Sequence, residues 1–91
     1  METDHFEWDD AKAAMVLREH GVDFWEAASV FDDAFHVVLP DDTRHQARWK
    51  AIGFAGQRML TVVHTDGRDG RIRIITAWPS TKGEIDDYYA R

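Results

Sequence analysis

Arg71 and Arg73 stand two apart in the run Arg71-Ile72-Arg73-Ile74. In a β-strand that spacing sends both guanidiniums to one face and both isoleucines to the other. Two neighbouring guanidiniums make a phosphate clamp, because each is a planar fork of donors and neither can lose its charge. The bland reading is a solvated face on an amphipathic strand. Arg48 and Lys50 repeat the spacing on another segment of strand character. If the register sets them beside Arg71 and Arg73, four cations share one patch, and cations so close are stable together only around an anion. If Arg48 and Arg73 lie on opposite faces of the sheet, no such site exists.

The five histidines, His5, His20, His36, His45 and His64, are spread through the chain without a zinc spacing, and there is no cysteine. A metal centre, a thiolate nucleophile and a disulfide framework are therefore not expected. Histidine suits general acid or base work near neutrality, but His20 and His64 are more simply explained as ordinary helix-end and strand residues. Trp78 and the Tyr88-Tyr89 pair could stack on nucleic-acid bases, or could be core. No glycine-rich phosphate loop or calcium loop is present, and no other cofactor is implied.

The elements that must position these residues follow from periodicity. His5 to Trp8 reads as a short aromatic strand, and Asp9 or Asp10 caps a helix that Gly21 ends. Asp23 with Glu26 has capping-box spacing and opens a second helix, with Phe24, Ala27, Ala28 and Phe31 as its apolar stripe. So short a connection predicts that the two helices lie against each other as a hairpin. From Phe35 the period shortens to two. Phe35 to Leu39, Arg48 to Phe54, Met59 to Thr65 and Arg71 to Trp78 read as strands, joined at Pro40-Asp41-Asp42, Ala55-Gly56-Gln57 and the turn between Asp66 and Gly70. Thr81 and Glu84 form a second capping box, opening a short helix that ends near Tyr88 and Tyr89. The expected class is α+β in one domain spanning residues 1–91: an N-terminal helical hairpin packed on a roughly four-stranded antiparallel sheet, then a C-terminal helix.

The formal charge of −6 hides a segregation. Up to Thr43 there are twelve acids against Lys12 and Arg18, whereas Arg44 to Lys82 carries eight basic residues against Asp66 and Asp69. That asymmetry suggests one surface that meets phosphate and another that meets a basic partner or solvent. The start, Met1-Glu2-Thr3-Asp4, lacks the basic region of a signal peptide, and no apolar run has membrane-spanning length. We expect a soluble cytoplasmic protein without membrane contact.

Taken in order, "FEWDDAK" (Phe6 to Lys12), "HGVDFWEAASVF" (His20 to Phe31), "RWKAIG" (Arg48 to Gly53), "RMLTVVHT" (Arg58 to Thr65) and "RIRIITA" (Arg71 to Ala77), followed by Pro79, Thr81, Glu84 and Tyr88, resemble the BrnT family. These are toxins of type II toxin–antitoxin modules, and the resemblance covers nearly the whole chain. It implies a RelE-like fold and a metal-independent endoribonuclease that cleaves RNA, halts translation and growth, and is neutralised by a BrnA-like antitoxin. The antitoxin carries the DNA-binding domain, so the toxin meets DNA only indirectly. A dimer or hetero-oligomer is left open. Carried onto this chain, the resemblance implies His20, Arg48 and Arg73 as catalytic, with His20 as acid or base, Lys12 and Arg71 as phosphate contacts, and Tyr88 as a residue that positions the base or closes the site; Lys50 by its strand spacing and Trp78 by its ring are further candidate RNA contacts. For Lys12 and His20 the structural alternative is that they fix the helical hairpin.

The chain departs from the family at Thr76-Ala77-Trp78, where Ser-Ala-Arg is usual, and at Ala47, where an acid is expected. A tryptophan can stack a base but cannot neutralise a phosphorane. The alternative function is accordingly a catalytically weak or inactive member, acting as a protein-interaction and co-repressor module with its antitoxin.

Overall fold

The computed structural model describes residues 1–41 and 47–90. Arg44 and His45, and the end of the Pro40-Asp41-Asp42 turn, lie outside the described residues. The elements run β1 (Phe6–Glu7), α1 (Asp10–His20), α2 (Phe24–Ser29) continued by a 3-10 turn (Val30–Asp32), β2 (Val37–Pro40), β3 (Trp49–Ala55), β4 (Arg58–Asp66), β5 (Ile72–Pro79) and α3 (Lys82–Tyr89).

Local chemistry accounts for the helix boundaries. The Asp9 carboxylate accepts from the Ala11 N–H to open α1, and Gly21, at φ 68°, closes it by returning its N–H to the Leu17 carbonyl. A residue with a Cβ would be strained there. Asp23 caps α2 through the Trp25 N–H. The expected box is not complete, since the Asp23 carboxylate takes the Trp25 N–H and not that of Glu26, whose own carboxylate binds Arg58 at 2.7 Å. The box at α3 is complete, with Thr81 and Glu84 satisfying each other's backbone N–H groups.

The sheet has five strands in the order β1-β5-β4-β3-β2, not four. It is mixed: β2 to β5 form the expected antiparallel meander, while β1 pairs parallel to β5, Phe6 opposite Ile72 and Glu7 opposite Arg73. β1 falls within the short strand expected at His5 to Trp8, but two residues are too few to reveal which neighbour they join, so its parallel place beside β5 was not legible. The helical hairpin is also corrected. Contacts between α1 and α2 are few; α1 packs chiefly on β5, and α2 on β3 and β5. The apolar stripe of each helix finds a larger surface on the sheet than on the other helix.

Two faces result. Val16, Val22, Phe24, Ala27 and Val30 join Ala51, Leu60, Val62, Ile74 and Ala77 in the main core. The other face carries Ile52, Thr61 and Val63, all buried, and α3 covers it, with Tyr88 edge-on to Phe54 at 5.6 Å. The sheet is thus sandwiched between α1 with α2 and the single helix α3. Among the described residues no helix is long and apolar enough to cross a membrane.

Candidate active site

β4 and β5 pair in regular antiparallel register except at one place. Val63 faces Thr76, but His64 faces Ile74, leaving Ile75 as an extra residue. This is a β-bulge, a local kink that re-aims the residues beside it. Beyond it, Thr65 faces Arg73. Arg48 immediately precedes β3, whose first residue Trp49 faces His64, so the same register carries Arg48 opposite Thr65. The Thr65 hydroxyl donates to the Ala47 carbonyl at 2.8 Å and ties the two segments together.

Arg48, Thr65 and Arg73 therefore form one row across three strands. With Asp9, Lys12, Ile74 and Ile75 they line an open cavity of about 280 Å³. Arg48 and Arg73 share this cavity, and the test posed by the sequence pattern is met. Lys12 joins them from the first turn of α1, since the Asp9 cap sets where that helix starts. Arg73 is half-exposed and its Nη1 donates to Glu7 Oε2 at 2.8 Å. The Arg48 Nε is buried and has no hydrogen-bond partner among the described residues.

The supporting carboxylate is Glu7, which is 6 % exposed. Its Oε1 accepts the Arg68 backbone N–H at 2.8 Å. That N–H, followed by the Arg73 guanidinium, holds the Glu7 carboxyl below its usual range against the opposing effect of burial. Glu7 is thus ionised beside a cation that reaches into the cavity.

The structure does not gather the other expected residues around this cavity. Arg71 turns to the N-terminal segment, where its guanidinium binds the Thr3 carbonyl and lies near Asp69 and Glu2. Lys50 is on the sheet face of Arg73 but lies under α3, with its Nζ 3.8 Å from Glu84. The four-cation patch is thus corrected to Lys12, Arg48 and Arg73, because Arg71 is drawn to the N-terminal segment and Lys50 lies under α3. Trp78 donates its Nε1–H to Glu84 at 2.9 Å. Tyr88 is buried, and its hydroxyl donates to Asp33 at 2.7 Å. His20 is exposed at the far end of α1, eight residues and so about 12 Å along the helix from Lys12.

Glu84 illustrates how fully the α3 face is occupied. Burial pushes its carboxyl up, yet the N–H of Thr81, the indole of Trp78 and the hydroxyls of Thr61 and Thr81 together hold it below its usual range. Among the described residues no group of three or more His, Asp or Glu side chains is arranged to hold a metal ion.

The expectation of one acidic and one basic surface is also modified. Glu7, Glu26 and Glu2 of the acidic half pair with Arg73, Arg58 and Arg71 of the basic half. Much of the segregated charge is therefore spent inside the molecule. Sequence reasoning missed Asp9 and Thr65 as lining residues and Glu7 as their support. The only signal for Glu7 was a lone acid in an aromatic strand, and for the other two there was none.

Fold and site together define a class: an α+β domain whose sheet presents two guanidiniums and an ammonium around one open cavity suited to an anion. Within that class the family is specific. The family model of the BrnT ribonuclease toxin of type II toxin–antitoxin systems matches residues 8–84, and the chain belongs to this family. Its structure is similar to the crystal structure of the Brucella abortus ribonuclease toxin BrnT, with a TM-score of 0.68 at 20 % identity, covering 88 % of this chain and 100 % of that one. At that identity the likeness is one of fold. No curated protein sequence matches the chain.

Proposed function

We propose that this chain is a metal-independent endoribonuclease that cleaves RNA to arrest translation and growth, and that a BrnA-like antitoxin holds it inactive. The observation that carries the reading is the convergence of Lys12, Arg48 and Arg73 on a single cavity of about 280 Å³. Three fixed cations can neutralise the charge that builds on a phosphorane, the role a metal ion would otherwise fill.

In this reading a ribose 2′-hydroxyl attacks the adjacent phosphorus. Its proton passes to Asp9, the one carboxylate among the lining residues. The bond to the 5′-oxygen breaks, and that oxygen takes a proton from the Lys12 ammonium, leaving a 2′,3′-cyclic phosphate and a 5′-hydroxyl. Arg48 and Arg73 bind the non-bridging oxygens. His20 has no part, being at the other end of α1. Trp78 and Tyr88 serve the packing of α3.

Cleavage of a defined RNA by the purified chain in EDTA, with product ends analysed, tests this. Cyclic-phosphate ends are expected, and Arg73→Ala should lower kcat by about 10²–10³, the usual loss for one charge-stabilising donor. A second reading, a co-repressor module without nuclease activity, draws on Trp78, which stands where the family strand is expected to carry arginine. Folded protein that binds an antitoxin but cuts no RNA at any concentration would favour it.

A further inference from the structure

The ion pair between Glu7 and Arg73 is lopsided. The Glu7 side chain is 8 % exposed and the Arg73 side chain 44 %. An ion pair that served packing alone would bury both members, or expose both at little gain. Here one partner is dry and immobile while the other projects into the cavity, held by a single nitrogen.

Three separate features immobilise Glu7. Parallel pairing of β1 with β5 sets it directly opposite Arg73. The Arg68 N–H fixes its second oxygen. Gly67 closes over it, since a Cβ there would lie 2.8 Å from Glu7 Cδ, 2.9 Å from Oε1 and 3.0 Å from the Arg71 carbonyl. The Gly67 φ is an ordinary −100°, so the need for glycine is one of space and not of backbone conformation. The Asp66-Gly67 turn thus does more than reverse the chain: it makes room for a carboxylate from the far end of the sequence.

We infer that Glu7 is a positioning residue of the active site, which acts by holding the Arg73 guanidinium in the orientation that meets the phosphorane, with Gly67 as the wall that fixes Glu7. This rests on the ribonuclease reading above. It predicts an unusual split. A carboxylate so near a phosphate site weakens ground-state RNA binding, so removing its charge leaves KM unchanged or lower. Removing the orientation lowers kcat. A merely structural residue would cost the same factor whether or not Arg73 is present.

The experiment compares the native chain with Glu7→Gln, Gly67→Ala, Arg73→Ala and the Glu7→Gln/Arg73→Ala double variant. Glu7→Gln is expected to lower kcat about tenfold or more without raising KM, and to have less than about a twofold effect once Arg73 is gone. Gly67→Ala, which leaves the Glu7 carboxylate intact, should lower kcat in the same direction. Nitrogen-15 NMR of the arginine side chains reads positioning directly: Arg73 rotation is restrained in the native chain and freed in both Glu7→Gln and Gly67→Ala. The idea is overturned if Glu7→Gln costs the same factor with and without Arg73, or if Arg73 is equally mobile in native chain and variants. If Glu7→Gln does not fold, Gly67→Ala decides by the same two readouts. A native chain that cuts no RNA would sink the ribonuclease reading, whereas the NMR comparison would still decide whether Glu7 orients Arg73.

Discussion

Asp33 should be among the costliest single residues to remove. It sits where β2 has yet to begin, beside the uncovered edge of β3. Its Oδ2 accepts the Phe54 N–H at 2.9 Å and the Tyr88 hydroxyl at 2.7 Å. Its Oδ1 accepts the Phe35 N–H at 2.9 Å. One carboxylate thus ties β3, α3 and the approach to β2. Hydrogen bonds to a charged group contribute roughly 1.5–3 kcal/mol each. Asp33 is only half-buried, so we take the low end for the Phe54 and Tyr88 bonds and neglect Phe35, which is exposed. Asp33→Ala should then lose about 3 kcal/mol, a large part of the roughly 5–14 kcal/mol a domain of this length commands. In urea, with a slope of about 2 kcal/mol/M, the midpoint should fall by about 1.5 M. Tyr88→Phe alone should lose about 1 kcal/mol, and the two changes together should cost less than their sum. Burial pushes the Asp33 carboxyl up, but the N–H groups of Phe54 and Phe35, the Tyr88 hydroxyl and His36 together bring it below its ordinary 3.8. Its folded pKa is therefore depressed. The stabilisation is full above the ordinary value and disappears as pH falls below it. Asp33→Ala unfolding within about 0.5 kcal/mol of the native chain would refute this account of the junction.

His64 is half-buried against Phe31 and Trp49, and burial lowers its pKa below the ordinary 6.5 despite the nearby Asp66. The fold favours the neutral ring, so stability should be complete above pH 6.5 and decline below it; urea midpoints at pH 7.5 and 5.5 should differ more for the native chain than for His64→Leu. Ile52→Ala, at a fully buried position beneath α3, should cost about 3 kcal/mol by the same denaturation. Thr81→Ala removes the α3 cap and should cost about 1 kcal/mol. His20→Gln should leave RNA cleavage within about twofold of the native rate, as for an exposed residue away from the chemistry; a loss of a hundredfold would return His20 to the site.

All five strands and all three helices were legible because caps, turns and periods are local, but the place of β1 in the sheet was not. Asp9, Gly21, Asp23 and the Thr81–Glu84 box each announce an end within four residues of themselves. The site was legible in part. Arg48 and Arg73 carried a recognisable spacing and the family resemblance, and they do meet. What could not be read was long-range. Arg71 has the same spacing as Arg73 but is drawn off by Thr3 and Glu2, residues some seventy positions away. The bulge at Ile75 defeats alternation altogether. Strict counting from Arg73 puts Trp78 on the opposite face, whereas the extra residue returns it to the same face, opposite Thr61 and under α3. No pattern in Ile74-Ile75-Thr76 marks which of them is supernumerary.

The parallel pairing of β1 with β5 has a consequence for the order of events during synthesis. Residues 6 and 7 can find their partners only after residues 72 and 73 exist, and no other strand pairing among the described residues spans so much sequence. The cavity likewise needs Asp9 and Lys12 together with Arg48, Thr65 and Arg73. A growing chain that has not yet reached β5 holds one wall of the cavity and not the other. A product terminated before β5 lacks Arg73, Ile74 and Ile75 from that wall, so the cavity closes only once those residues have been translated.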